Sequence, residues 1–252
     1  MQIAQQNNHS KRILVTGVTG YIGGRLVPLL LEAGYQVRVL VRGSGARLEG
    51  RPWLDRVEVA VGDVLEPASL SAALQGVDAA YYLIHSMSGH TEFSRRDREA
   101  AQNFAGAAEA EGVSRIIYLG GLGDPDSNLS EHLRSRQETG ATLAQFQVPV
   151  TEFRAGMVVG SGSLSFEMLR HLTERLPVMI APRWVYTKTQ PIAVGDVLNY
   201  LVAALETPAS AGKVIQIGGA NVLSNAQMML TYARIRGLRR LIIPVPVLTP
   251  RL

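Results

Sequence analysis

Residues 11–34 read KRILVTGVTGYIGGRLVPLLLEAG. The stretch opens on Ile13-Leu14-Val15, an apolar, β-branched run too short for a helix and suited to a strand buried on both faces. It turns through Gly17, Gly20 and Gly23. An apolar pattern of helical period follows, Ile22, Leu26, Leu29 and Leu30, and Gly34 closes it as a C′ residue. Strand, glycine turn and helix make one half of a βαβ unit. Such a turn lets backbone N–H groups approach a pyrophosphate, while the helix N-terminus contributes about half a positive charge. Gly17 permits the tight turn, Gly20 the close approach, and Gly23 the packing of helix on strand. The spacing G-x-x-G-x-x-G is one residue longer than the G-x-G-x-x-G fingerprint, and its place between a buried strand and an amphipathic helix gives it weight.

Outward from this unit the same rhythm continues. Strands are expected at Gln36–Val41, Val57–Val61, Ala79–Ile84, Ser114–Leu119 and Val148–Arg154. Helices are expected at Leu65–Leu74, at about Thr91–Glu111 with Phe93, Ala100, Phe104, Ala107 and Ala108 on the buried face, and at Leu129–Phe146. Six strand–helix cycles predict a doubly wound parallel sheet of about seven strands with right-handed crossovers. After Gly156 the rhythm loosens. A helix is expected at Leu164–Leu176, a loop or short strand at Trp184–Thr189, and a helix marked by Asp196 and running to about Leu205. A strand at Lys213–Ile217 and a helix at Ala226–Ile235, N-capped by Ser224, follow. Pro244, Pro246 and Pro250 exclude a helix at the end. The expected layout is therefore a tail at 1–10, a dinucleotide-binding domain at 11–156, and at 157–252 the remaining sheet elements with a small substrate subdomain. The apolar end suggests truncation before a further C-terminal domain.

At 252 residues with 46% hydrophobic content, the chain can fill one α/β core. It has no cysteine, so disulfide and thiol chemistry are excluded. The polar start MQIAQQNNHS has no apolar signal-peptide region, and no run of about 18 apolar residues occurs, so a cytoplasmic chain without a transmembrane segment is expected. The net charge is +4, with arginines scattered and aromatics at 6%, which does not make a nucleic-acid face. The histidines match no zinc spacing, and no metal is expected.

Four stretches together resemble the short-chain dehydrogenase/reductase superfamily in its extended and atypical branch: TGVTGYIG at 16–23, GDV at 62–64, the strand end Leu83-Ile84-His85, and PIAVGDVLNYLVAAL at 191–205. The nearest group is that of NmrA-like proteins and nucleoside-diphosphate-sugar epimerases, and the likeness covers Lys11 to about Ile243. YYLIHSM at 81–87 resembles members in which a further domain follows. The resemblance implies a Rossmann fold and an NAD(P) cofactor. It implies that Thr16, Gly17, Thr19, Gly20, Tyr21, Ile22 and Gly23 wrap the pyrophosphate, that Asp63 and Val64 meet the adenine, and that Leu83 and Ile84 line the ribose side. Asp63 has a second reading, as a cap on the turn that follows it.

NAD-specific sites place an Asp or Glu about 20 residues after the glycines, to bind the ribose 2′-OH. Here Val41 and Arg42 stand there, with Arg47 nearby, and no acid lies between Gln36 and Leu48. A carboxylate repels a 2′-phosphate and a guanidinium binds it bidentately, so NADP is favoured over NAD. The alternative is that both arginines are solvated loop residues.

The superfamily's Ser/Thr, Tyr and Lys are missing. The fifth strand ends Leu119-Gly120-Gly121 where the family has serines, and no Tyr-x-x-x-Lys occurs anywhere. The best register places His132 at the Tyr position and Arg136 at the Lys position, four apart on one helix face. His132 can move a proton and Arg136 can hold a ribose. The same residues read equally well as a charged helix start. His85 is the second proton-carrier candidate, or a loop histidine. The main expectation is an oxidoreductase or epimerase-like enzyme on a small organic substrate, seated over the strand ends and walled by segments after Gly156. The rival is a non-catalytic NADP(H) sensor or assembly protein.

Overall fold

In the computed structural model, residues 10–85, 91–123 and 129–245 are described. The expectations for the tail at residues 1–9, for His9 and His90, for the Phe93 side chain, for YYLIHSM past His85, and for Pro246 and Pro250 lie outside the described residues. In chain order the first elements are β1 (Arg12–Val15), α1 (Gly23–Glu32), β2 (Gln36–Val41), β3 (Glu58–Val61), α2 (Leu70–Leu74), β4 (Ala79–Tyr82), α3 (Thr91–Ala110), β5 (Arg115–Gly121), α4 (Glu131–Leu143) and β6 (Val150–Ala155). Then come β7 (Val158–Val159), α5 (Leu164–Arg175), β8 (Val178–Pro182), β9 (Lys188–Thr189), β10 (Ile192–Ala193), α6 (Val194–Glu206), β11 (Val214–Ile217), β12 (Leu223–Ser224), α7 (Asn225–Ile235) and β13 (Leu241–Val245).

The central sheet has seven parallel strands in the order β11-β6-β5-β4-β1-β2-β3, the doubly wound arrangement expected. The reversal of strand order lies between β1 and β4, the place where ligands bind in open α/β sheets. Alternation along the strands feeds two cores. Leu14, Leu40, Tyr82, Ile116 and Tyr118 pack with Leu70, Leu74, Phe104 and Leu143 from α2, α3 and α4. Tyr81 points the other way, fully buried, and donates to the Leu201 carbonyl of α6 at 2.8 Å. Within β2, Arg38 is 6% exposed and its charge is met by Glu58 at 2.8 Å and by the Ala73 and Gln75 carbonyls at the end of α2.

After β2 the sequence reads as a loop rich in Gly and Arg, at Arg42, Gly43, Ser44, Gly45 and Arg47, and the structure agrees. Between β2 and β3 the chain makes only short 3-10 turns, at Ala46–Leu48 and Leu54–Arg56. Gly43, Gly45 and Gly50 all take positive φ there, and so interrupt any helical run. Gly34 ends α1 as expected. Its φ is +86°, its N–H bonds Leu31 O, and the Tyr35 N–H bonds Leu30 O, the paired bonds of a Schellman motif.

The chain divides into two compact units, residues 1–154 with 198–216, and residues 155–197 with 217–252. The first holds most of the central sheet. In the second, β13 pairs in parallel with β8, joining Leu241 to Val178 and Val245 to Pro182. Pro244 sits within this two-stranded sheet, where a strand can carry it. Ser224 caps α7 in a full capping box with Gln227.

Candidate functional site

The glycine turn is fixed from below by a threonine. Thr16 is fully buried. Its hydroxyl donates to Tyr81 O and accepts from the Leu83 N–H, both at 3.0 Å, and its own N–H bonds Tyr81 O. Thr16 therefore joins the end of β1 to the end of β4 and presents no free donor. Gly17 has φ +67°, and a Cβ there would run into the Leu83 carbonyl. A Cβ on Gly23 would lie 2.5 Å from Gly17 O and 3.0 Å from Val18 Cα, so the helix approaches the strand as only glycine permits. Gly20 bonds back to Gly17 O at 2.9 Å. Among the described residues no backbone carbonyl accepts from the amides of Thr19, Tyr21 or Ile22.

α1 begins on this turn with no side-chain cap and no acid in its first turn. By contrast, α4 has its own cap, Ser130, which accepts from the Leu133 N–H, and an acid, Glu131, in its first turn. Among the described residues the buried Tyr21 hydroxyl has no partner, and the Arg25 guanidinium lies 4.0 Å over the Tyr21 ring. Open amides, an uncapped helix start, a nearby cation and an orphaned hydroxyl fit a pyrophosphate.

Next to the turn lie the ends of β2 and β3. The register sets Val41 opposite Val61, which brings Arg42 and Asp63 together just beyond. Arg42 Nη1 is 4.0 Å from Asp63 Oδ2. Asp63 Oδ1 accepts from the Leu65 N–H at 3.0 Å, so one oxygen caps the turn while the other faces Arg42. The Val64 carbonyl is held from α3 by Asn103 at 3.0 Å. Arg47 is exposed on its 3-10 turn.

At the ends of β4 and β5 the structure brings the sequence candidates into one cluster. Leu83 backs the glycine turn, and Ile84 packs on the α2–α3 core. The His85 and His132 rings stand edge to face, with centroids 6.3 Å apart. Both imidazoles are driven toward the neutral form. Lost hydration, then Arg136 and His132, push His85 down to about 4, against a pull from Asp97, although the residue keeps an exposed edge. His132 is lowered by the same order of causes, lost hydration and then Arg136, again opposed by Asp97. Arg136 turns inward. Its Nη2 donates to Leu119 O at 2.5 Å, and its buried Nε has no partner among the described residues.

The glycines that stand in place of the family's serines have a packing reason. A Cβ on Gly121 would meet Leu133 Cδ2 at 2.6 Å, and one on Gly120 would meet Glu152 Oε1 at 2.8 Å. Glu152 is 4% exposed on β6, paired with Arg154 at 2.7 Å, and Gly140 of α4 closes on its other oxygen. Nearby tyrosines do not replace the missing one. Tyr118 donates to Arg136 O at 2.8 Å, and burial raises it to about 12. Burial also raises Tyr81 and Tyr82. Asp97, which reaches toward Ser135 at 3.4 Å, and Glu152 went unnoticed in the sequence. The glycines at 120 and 140 were the only signal for Glu152. Among the described residues no group of three or more His, Cys, Asp or Glu could hold a metal, and no helix is long and apolar enough to cross a membrane.

Residues 17–147, just over half of the chain, match the family model described as NAD(P)H-binding. The chain belongs to this NAD(P)H-binding family. Proteins similar to this chain include reductases and nucleotide-sugar epimerases of the kind named by the sequence resemblance. The chain is 29% identical over 202 residues to a ceramide reductase of Caulobacter vibrioides, covering 78% of this chain and 61% of that protein. It is 27% identical over 242 residues to the mitochondrial NADH dehydrogenase [ubiquinone] 1 alpha subcomplex subunit 9 of Arabidopsis thaliana, covering 92% of this chain and 60% of that one. The chain thus spans about three-fifths of the length of these relatives. Its fold is shared with the Citrobacter triphenylmethane reductase complexed with NADP(H), at TM-score 0.76, 21% identity, and coverage of 93% of this chain and 79% of that one. It is shared also with an Agrobacterium tumefaciens short-chain dehydrogenase/reductase superfamily protein with bound NAD, at TM-score 0.73, 19% identity, and coverage of 93% and 86%.

Proposed function

We propose that this NAD(P)H-binding chain is an oxidoreductase or epimerase-like enzyme that prefers NADP(H) and acts on a small organic substrate. The observation that carries the reading is the imidazole pair, His85 just past β4 and His132 in the first turn of α4. The bound cofactor would supply hydride chemistry. The chain would do the rest. Amides of the glycine turn hold the pyrophosphate, Asp63 and Val64 meet the adenine, and Arg42 faces the 2′-phosphate. His132 exchanges a proton with the substrate oxygen through an imidazole nitrogen, and His85 passes it on toward solvent. Arg136 Nη1, which has no partner among the described residues, is the atom that would reach the ribose. Lowered imidazole pKa values suit this role, because a neutral ring can accept a proton at physiological pH.

The test is cofactor titration with NADPH and NADH, followed by a search for slow cofactor oxidation against aliphatic, aromatic and lipid carbonyls. Turnover that depends on His132 supports the enzyme. The second reading, a non-catalytic NADP(H) sensor or assembly protein, draws on the missing Tyr-x-x-x-Lys and on the long match to a complex subunit. Tight NADPH binding with no turnover on any carbonyl, unchanged in His132→Gln, would favour it.

A further inference from the structure

The sequence nominates Arg42 and Arg47 for the cofactor's 2′-phosphate, but a third arginine has the better position. The loop after β2 leaves the sheet at Arg42, runs through its two 3-10 turns, and brings Arg51 back over the start of α1. A methyl group built on Gly24, in the first turn of α1, would lie 3.3 Å from Arg51 Nη1, 3.6 Å from its Cζ, and 3.0 Å from Val18 O. The guanidinium is thus laid against the first turn of the helix that starts on the glycine turn. Arg51 is half-buried, and its backbone N–H is fixed on Leu48 O at 3.0 Å. Among the described residues its side chain has no carboxylate partner and no hydrogen bond. The other two arginines compare poorly. Arg42 is exposed and has Asp63 Oδ2 4.0 Å away, a carboxylate that offsets part of its charge. Arg47 is exposed on the same loop and touches nothing at the turn in this way.

We infer that Arg51 is the main determinant of NADPH over NADH, acting with Arg42 as the weaker second cation. The inference rests on the NADP(H) preference proposed above. A 2′-phosphate is a dianion with three acceptor oxygens, and a guanidinium matches two of them at once. An arginine already desolvated on one side and held by the loop loses less freedom on binding than an exposed one. Gly24 is part of the device, because a Cβ there would press on the guanidinium at 3.3 Å.

The experiment measures dissociation constants of the full chain for NADPH, NADH, 2′,5′-ADP and 5′-AMP, for the natural protein and for Arg51→Gln, Arg51→Lys and Arg42→Ala. A charged hydrogen bond corresponds to roughly a 10–100-fold change in affinity. Arg51→Gln should weaken NADPH and 2′,5′-ADP by that factor and leave NADH and 5′-AMP within about twofold. Arg51→Lys should fall between, keeping the charge without the fork, and Arg42→Ala should lose less than Arg51→Gln. Retained NADH binding serves as the control for folding. A natural protein that binds NADH as tightly as NADPH would overturn the cofactor preference and this inference with it. A clear NADPH preference that survives in Arg51→Gln, or equal losses for both nucleotides, would overturn the inference alone.

Discussion

The two ends of one sheet edge build their sites from different materials. At β1–β3 the groups that face a ligand are mostly main-chain amides, shaped by Gly17, Gly20 and Gly23 and by the open start of α1. At β4–β6 they are side chains, held by main-chain carbonyls or by one another: Arg136 on Leu119 O, Tyr118 on Arg136 O, Glu152 on Arg154, and His85 against His132. A main-chain site needs glycine at fixed spacing and little else, so it can be read locally. A side-chain site depends on contacts between residues tens of positions apart, so it can diverge while the fold stays the same. No Tyr-x-x-x-Lys pair occurs at the second end, whereas the spaced glycines are present at the first.

The sharpest way to break this contrast is at His132. His132→Gln should lower any measured turnover by roughly 10²–10⁴-fold, the contribution typical of general acid–base catalysis, with NADPH affinity nearly unchanged. An unchanged kcat would remove the proton-carrying role from the β4–β5 end. The reciprocal test is Gly17→Ala. A side chain at φ +67° with backbone in its path should cost about 3 kcal/mol in urea denaturation and abolish nucleotide binding. Full cofactor affinity in that variant would contradict a main-chain site.

Glu152→Ala tests whether the side-chain end is interlocked. It leaves Arg154 short of its partner and should cost about 3 kcal/mol. Adding Gly140→Ala should recover about 1 kcal/mol, because the new methyl enters the vacated space and alanine favours the helix. In the natural background Gly140→Ala should destabilise instead, and additive effects would show that Gly140 and Glu152 do not share that space.

The smallest effect is in pH. A histidine whose folded pKa lies below its unfolded value stays neutral as the pH falls past about 6.5, while the unfolded chain takes up the proton first. Turnover should therefore hold level through that point, and stability should decline as the pH falls on toward 4. Proton NMR should place the His85 midpoint well below that of a free imidazole, and an ordinary midpoint would show that the ring keeps its hydration.

Much of the fold was legible because local rules and the sheet agreed. Ile13-Leu14-Val15, the Gly34 closure and the Ser224 cap each needed only neighbours in sequence. The helix-free crossover after β2 was readable only as a glycine-rich loop, and the pairing of β13 with β8 joins segments more than 60 residues apart. His85 and His132 were each visible singly. That they share one cluster, with Asp97 opposing Arg136 around them, depends on three separate elements meeting. Arg51 was invisible for the same reason: its meaning lies in Gly24, on another element.

Thr16 has one more consequence. Its hydroxyl carries no chemistry, yet it bonds both Tyr81 O and the Leu83 N–H, and Gly17 rests on the carbonyl of that same Leu83. His85 is only two residues farther on. The glycine turn proposed to hold the nucleotide and the strand end that leads to the first imidazole are therefore tied together through a single buried threonine.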